Sequence, residues 1–416
     1  MGPKLLSRYG SVAYVAAIVI ALSSPASPAS KETILYKFTG GYDGGIPYSG
    51  LVFDAAGNLY GTTTYGGTNV FYGAVFELTL VNGKWREHVL YSFKGGKDGS
   101  YPRAGVVFDK AGNLYGTTDY GGTYGCGTVF KLTHANGRWK ESILYAFKGS
   151  SKGDGEYPWG VVLDKAANLY GTTQLGGPPS QTCPNGCGTA YKLTHSKQGW
   201  KETRLYAFTG QNGDGAGASS GLTFDRAGHL FGATDQGGST GYGTVYELAH
   251  SKSGWNESVL YQFSGTTDGA GPDSGLIMDS SGNLYGTTNY GGTSGWGTVF
   301  ELEHSSTVWT EKVLYSFVTG EGFPGGDLIF DHSGNLYGSE TAVGCCGAVF
   351  ELTPKEGQWE ETVLYTFTGS TNKDGMFPNG ALIFDAVGNL YGTTSAGGYG
   401  PCEGDTGCGV IFELSP

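Results

Sequence analysis

From residue 31 onward, apolar and polar positions alternate in short runs, and four such runs make a unit that recurs seven times. In the first unit the runs are GLVFD (Gly50–Asp54), NLYGTT (Asn58–Thr63), GAVFELT (Gly73–Thr79) and WREHVLYSF (Trp85–Phe93). They are designated strands a to d. Ala55–Gly57 and Leu80–Gly83 supply the tight turns between a and b and between c and d, with Asp54 placed to accept from turn amides. In strand d, period two puts Trp85, Glu87, Val89, Tyr91 and Phe93 on one face. No stretch after the first 30 residues keeps a helical period.

The glycine of each LYG or LFG core falls at Gly61, Gly116, Gly171, Gly232, Gly286, Gly338 and Gly392, at spacings of 52 to 61 residues. That length fits a four-stranded propeller blade and is too long for helical or leucine-rich repeats. Strand d ends at Phe38, Phe93, Phe147, Phe208, Phe263, Phe317 and Phe367, so the repeats begin with a strand d (Glu32–Phe38) and end with a strand c (Val410–Leu414). The first strand is therefore expected to complete the last blade and remove an open edge. The pattern predicts an all-β, seven-bladed propeller over residues 31–416. Its blades lie near 50–93, 105–147, 160–208, 221–263, 275–317, 326–367 and 380–414 plus 32–38.

Residues 1–30 differ: Lys4 and Arg8 precede an apolar core, Ser11–Leu22, followed by small residues around Ala26 and Ala29. This reads as a secretory signal peptide. A retained anchor is the alternative, but spanning a bilayer takes about 20 apolar residues. No stable membrane insertion is expected after cleavage, and no second anchor is read at the C-terminus. Without Lys4 and Arg8, 23 basic residues face 37 acidic ones, a formal charge of −14. That balance argues against nucleic acid and anionic membranes as partners.

Repetition also discounts candidate acids. Asp ends strand a in every unit (Asp54, Asp109, Asp164, Asp225, Asp279, Asp331, Asp385), and Glu holds one place in every strand d (Glu32, Glu87, Glu141, Glu202, Glu257, Glu311, Glu361). A catalytic pair needs particular residues at one place, so these read as turn and blade-packing features. Units of the form GLVFD..GNLYGTT..GG…GTVFEL…W.E.VLYSF resemble the GloVer tandem repeat of "choice-of-anchor tandem repeat GloVer-containing" bacterial proteins. All seven units match, with local departures at His229, Phe231 and the stretch Gly338–Gly347. The resemblance implies an exported, surface-associated repeat protein, and it offers no catalytic residues.

In a propeller the d–a and b–c loops share one face, and here they are the longer ones. Their Asp-Gly pairs, such as Asp43-Gly44 and Asp98-Gly99, read as turns rather than calcium loops. At the channel mouth the repeats diverge. Tyr48, Arg103, Trp159, Asp273 and Asn379 stand just before strand a, and Asp327 heads that strand where five units have glycine. Aromatic, guanidinium, amide and carboxylate groups together suit a sugar or small polar ligand. Ordinary loop drift is the rival account.

Cys183 with Cys187 and Cys402 with Cys408 are spaced to close local disulfides, with a further vicinal pair, Cys345–Cys346, to consider. Zinc is the rival, and no histidine lies near these loops in sequence. His134, His195, His250 and His304 end strand c on the opposite face and read as exposed hairpin residues.

No cofactor, metal site or catalytic residue is assigned. The expected function is that of a secreted, periplasmic or cell-surface noncatalytic scaffold, monomeric, binding a glycan, a protein or a small polar ligand. The alternative is a propeller lyase, lactonase or hydrolase with its site at the channel mouth.

Overall fold

The computed structural model describes residues 30–68, 71–305, 308–341, 346–369, 374–402 and 406–415. Residues 1–29 of the proposed signal segment and Cys345 fall outside them. Seven antiparallel four-stranded sheets form the blades of a β-propeller. In the first blade the strands are Val52–Phe53, Leu59–Thr63, Ala74–Val81 and Lys84–Ser92. In this blade strand a is shorter than the sequence pattern suggests, whereas in the third and sixth blades it is longer, Gly155–Leu163 and Phe323–Phe330. Hydrogen bonds just before strand a join neighbouring blades. Thr62 Oγ1 donates to the Ala104 carbonyl of the second blade, and Thr393 Oγ1 of the last blade donates to the Ser49 carbonyl of the first.

Closure occurs as expected. Lys31–Lys37 pairs antiparallel with Val410–Ser415, so the outermost strand of the last blade comes from the start of the chain. Phe38, fully buried, then packs edge-on against Phe76 of the first blade at 5.2 Å. Phe76 and its equivalents also explain the LYG glycine. A Cβ on Gly61 would stand 2.7 Å from the Phe76 ring.

One expectation needs correction. Tyr91 and Phe93 do not share a face with Trp85, Glu87 and Val89. Phe76 pairs with Val89 but Val75 pairs with Tyr91, so Leu90 is an extra residue and the alternation changes phase there. The same shift occurs in every blade, always at a leucine: Leu35, Leu90, Leu144, Leu205, Leu260, Leu314 and Leu364. Its consequence is inter-blade packing. Trp85 faces the preceding blade with Phe76 and Leu78, whereas Tyr91 and Phe93 face the following one with Val106 and Phe130.

The recurring Asp54 accepts from the Ala56 and Asn58 amides at 2.8 and 2.9 Å and from the Asn58 side chain at 2.8 Å. It is a turn residue, as its sevenfold recurrence implied. His134, His195, His250 and His304 are exposed at hairpin ends, each against a strand-d tryptophan.

The two expected disulfides are present, Cys183–Cys187 and Cys402–Cys408, with Cα separations of 5.3 and 5.0 Å. Cys126 is a free thiol, and the vicinal pair lies outside the described residues through Cys345. Cys408 is buried beneath Gly40, just beyond the closing strand. Opening the Cys402–Cys408 loop by Cys402→Ser with Cys408→Ser is therefore expected to cost about 2 kcal/mol. Denaturant titration measures this, while non-reducing peptide mapping should recover both links; free thiols at all four positions would contradict the assignment.

Candidate functional site

The inner strands leave a central channel whose loop-face mouth widens into a cavity of about 630 Å³. Tyr48, Arg103, Trp159, Asp273, Asp327 and Asn379 all line it. Tyr48, Arg103, Asp273 and Asn379 stand before a strand a, while Trp159 and Asp327 lie within the longer strands Gly155–Leu163 and Phe323–Phe330, and the propeller's symmetry carries all six to a common space.

Three of them meet a second ring of residues that the sequence reading missed. This ring is the first residue of each b–c loop: Thr64, Asp119, Gln174, Asp235, Asn289, Thr341 and Ser395. Arg103 Nε lies 3.2 Å from Asp119 Oδ2, the Asn289 amide donates to Asp273 at 2.7 Å, and the Asn379 amide donates to Ser395 Oγ at 3.0 Å. The clue was available, because this position follows GTT in five of the seven units and itself changes in nearly every one.

Electrostatically the mouth is divided. Asp119 is pushed up to about 7 by burial, with Arg103 pulling the other way. Arg103 also lies over the Tyr48 ring, 5.7 Å from its centroid. Across the mouth, burial raises Asp327, while the Gly275 amide, donating to Oδ1 at 2.6 Å, opposes the rise. Burial likewise raises Asp273, and Asp235 is pushed up to about 6 by burial and then by Asp273. Asp235, Asp273 and Asp327 have no salt-bridge partner among the described residues. Asp327 ties its blade to Gly275 of the preceding one and keeps a carboxylate at the channel wall.

Beside the channel lies a second cavity of about 430 Å³, which shares Tyr48 and Arg103 with the first. Tyr65, Tyr101 and Tyr120 form much of its wall, with Asp119 and Thr64. Among the described residues, no three His, Cys, Asp or Glu side chains are grouped to hold a metal ion, and no helix is long and apolar enough to cross a membrane.

The model of the Gloeobacter/Verrucomicrobia repeat family matches residues 21–183 and 179–399. No curated protein sequence matches the chain. Among solved structures, a proposed 6-phosphogluconolactonase of Bacteroides fragilis is similar at 13% identity, with a TM-score of 0.52 over 83% of this chain and 87% of that one. A Bacteroides uniformis protein of the same description gives 12% identity and a TM-score of 0.51 over 80% and 88%. A puromycin hydrolase gives 13% and 0.50, over 86% of this chain and 52% of that one. At such identities the likeness concerns the fold alone.

Proposed function

The chain belongs to the Gloeobacter/Verrucomicrobia repeat family, and from that premise we propose that it is an exported, noncatalytic propeller that binds a ligand at the loop-face mouth of its channel. One observation carries this reading: six residues that depart from one another between repeats line one cavity. Five of the seven units fold with glycine at the head of strand a, so one inter-blade hydrogen bond to Gly275 is a small return for a buried carboxylate, and the raised proton affinity of Asp327 reflects that cost. The two disulfides support an oxidising compartment, whether secreted, periplasmic or at the cell surface. The acidic balance favours a glycan, a protein or a small polar ligand over nucleic acid.

A thermal-shift screen of glycans and small polar compounds tests the reading, since a ligand at 100 times its Kd stabilises by about 2.7 kcal/mol. Trp159→Ala and Asp327→Gly are each expected to weaken the ligand found about tenfold or more, with the melting temperature little changed by Trp159→Ala. A ligand insensitive to both, or one located on the histidine-bearing face, would remove the channel mouth from consideration.

A second reading, a lyase, lactonase or hydrolase at the same mouth, draws on Asp235. Its Oδ1 is buried without a hydrogen-bond partner and its carboxyl is pushed up to about 6, a range suited to a general base. Turnover of a lactone or ester panel that is abolished by Asp235→Asn would replace the scaffold reading with this one.

A further inference from the structure

We propose that the side cavity next to the channel holds the end of a neutral oligosaccharide, stacking its rings on tyrosines and gripping its hydroxyls with the Arg103–Asp119 pair. The proposal rests on the loop-face reading above and adds to it a place and a ligand class.

The first support is a ladder of rings. Tyr65, Tyr101, Tyr120 and Tyr157 meet edge to face in succession, with centroids 5.4, 5.6 and 4.9 Å apart. They come alternately from b–c and d–a loops, so the ladder crosses three blades along the loop face. Tyr65, Tyr101 and Tyr120 line the cavity itself. Aromatic rings offer apolar faces to the C–H side of a sugar ring while leaving their hydroxyls for polar contacts.

The second support is backbone conformation. Tyr101 and Tyr157 have φ of 57° and 56°, and Ile46, in the same cavity wall, has 56°. Each precedes a proline, which itself disfavours such a conformation. Blades four and five use glycine at the equivalent place, Gly217 and Gly271, with φ of 71° and 62°. Six of the seven units keep a left-handed residue there, and glycine meets that need without strain. Blade seven uses Phe377, with φ of 57°, away from the cavity, so the strain belongs to the repeat. In blade two the same conformation sets the Tyr101 ring in the cavity wall, where it joins the ladder.

The third support is polar. Asp119 is only 9% exposed, yet it holds Arg103, whose side chain is half exposed at the rim. Thr64, in the same wall, is 5% exposed, and its Oγ1 lacks a hydrogen-bond partner. Arg103 Nε is already engaged by Asp119 at 3.2 Å, which leaves the guanidinium less available as a lone clamp for an anion. Adjacent donors and acceptors in a fixed plane suit neighbouring hydroxyl groups instead. Tyr48 and Arg103 border both cavities, so a chain of sugars can run from the cleft toward the channel mouth.

Calorimetric titration of the full chain with cellohexaose, xylohexaose, chitohexaose and maltohexaose, and with hexagalacturonate and hexalysine as charged probes, tests the proposal. At least one neutral hexaose is expected to bind. Tyr101→Gly should weaken it tenfold or more while keeping or raising the melting temperature, since glycine relieves the strained backbone; a merely structural tyrosine would not show that split. Tyr120→Ala should weaken binding similarly. A neutral sugar sensitive to Trp159→Ala but indifferent to both tyrosine variants overturns this proposal and leaves the channel-mouth reading standing. Binding of a charged probe alone overturns the ligand class. No binding of any neutral hexaose at millimolar concentration overturns the proposal, and binding indifferent to all three variants overturns both readings.

Discussion

Removal of Lys31–Phe38 is expected to convert a stably folded chain into a species that melts far lower and associates. This segment supplies the outer strand of the last blade, paired from Lys31 with Ser415 to Lys37 with Val410. Without it, Val410–Ser415 becomes an exposed edge with unpaired backbone groups, a template for pairing with another chain. Phe38 is fully buried, and Leu35 and Tyr36 pack in the same cluster between the last and first blades. Burial of each large apolar side chain contributes roughly 1.5–3 kcal/mol, so their loss alone approaches much of a typical folding stability of about 5–15 kcal/mol. Differential scanning calorimetry and light scattering on the truncated protein provide the check. A ring whose melting temperature and solution size survive the deletion would not be closed by this strand.

The closure was legible in the sequence because seven copies of one unit fix the phase of the repeat, and a chain that starts on d and ends on c admits one economical ring. Details that depend on contact between copies were less legible. The bulge at Leu90 leaves no break in the pattern, since apolar residues stand on both sides of it and both faces of strand d are covered by neighbouring blades. The mouth residues before strand a were visible as divergence from the repeat. Their partners Asp119, Asn289 and Ser395 were missed because each lies 16 residues further along, beyond a constant stretch that drew attention to itself. The tyrosine ladder was hidden for a different reason. Tyr65 and Tyr101 are neighbours only after two blades have docked, and nothing in either loop marks the other as its partner.

The recurring Glu and Asp rings, legible separately as packing and turn features, combine into something with a measurable consequence: stability is expected to fall as pH rises from about 5 to 8.5. Each strand-d Glu lies beside the acidic residue of the loop leaving the preceding blade. Burial first, then Asp43, pushes Glu87 up to about 8. Burial followed by Asp374, Asp98, Asp154, Asp214 and Asp268 pushes Glu32, Glu141, Glu202, Glu257 and Glu311 up to about 7, and burial with Glu321 raises Glu361. The loop acids are themselves committed. Tyr36, Tyr91, Tyr145, Tyr261 and Tyr365 donate to them at 2.7–3.0 Å, and Tyr315 donates to Glu321 at 3.1 Å. Cations oppose the rise at only some interfaces, through Lys37 near Glu32, Lys94 near Glu141, and Arg204 and Lys148 near Glu202.

The sign follows from proton counting. These carboxyls bind protons more tightly in the folded chain than in the unfolded one, so between about pH 4.5 and 8 the folded state carries more protons and loses stability as pH rises. Below that window the opposite arm begins. Burial works against the ionised forms of Asp54, Asp109, Asp164 and Asp385, but turn hydrogen bonds, chiefly from Asn58, Asn113, Asn168 and Asn389, hold them below the usual carboxylate range, so their contribution fades as pH falls through those lowered values. The Glu carboxyls are only half-buried, and solvent screening reduces each contribution to about a few tenths of a kcal/mol. Seven together should lower the melting temperature by on the order of 5 °C between pH 5.5 and 8.5. Glu87→Gln turns a repelled carboxylate into an amide able to donate toward Asp43, and should raise the melting temperature at pH 8.5 more than at pH 5.5. Calorimetry across that range decides it: a melting temperature that climbs toward pH 8.5, or a Glu87→Gln gain independent of pH, would mean that the seven interfaces do not hold their protons.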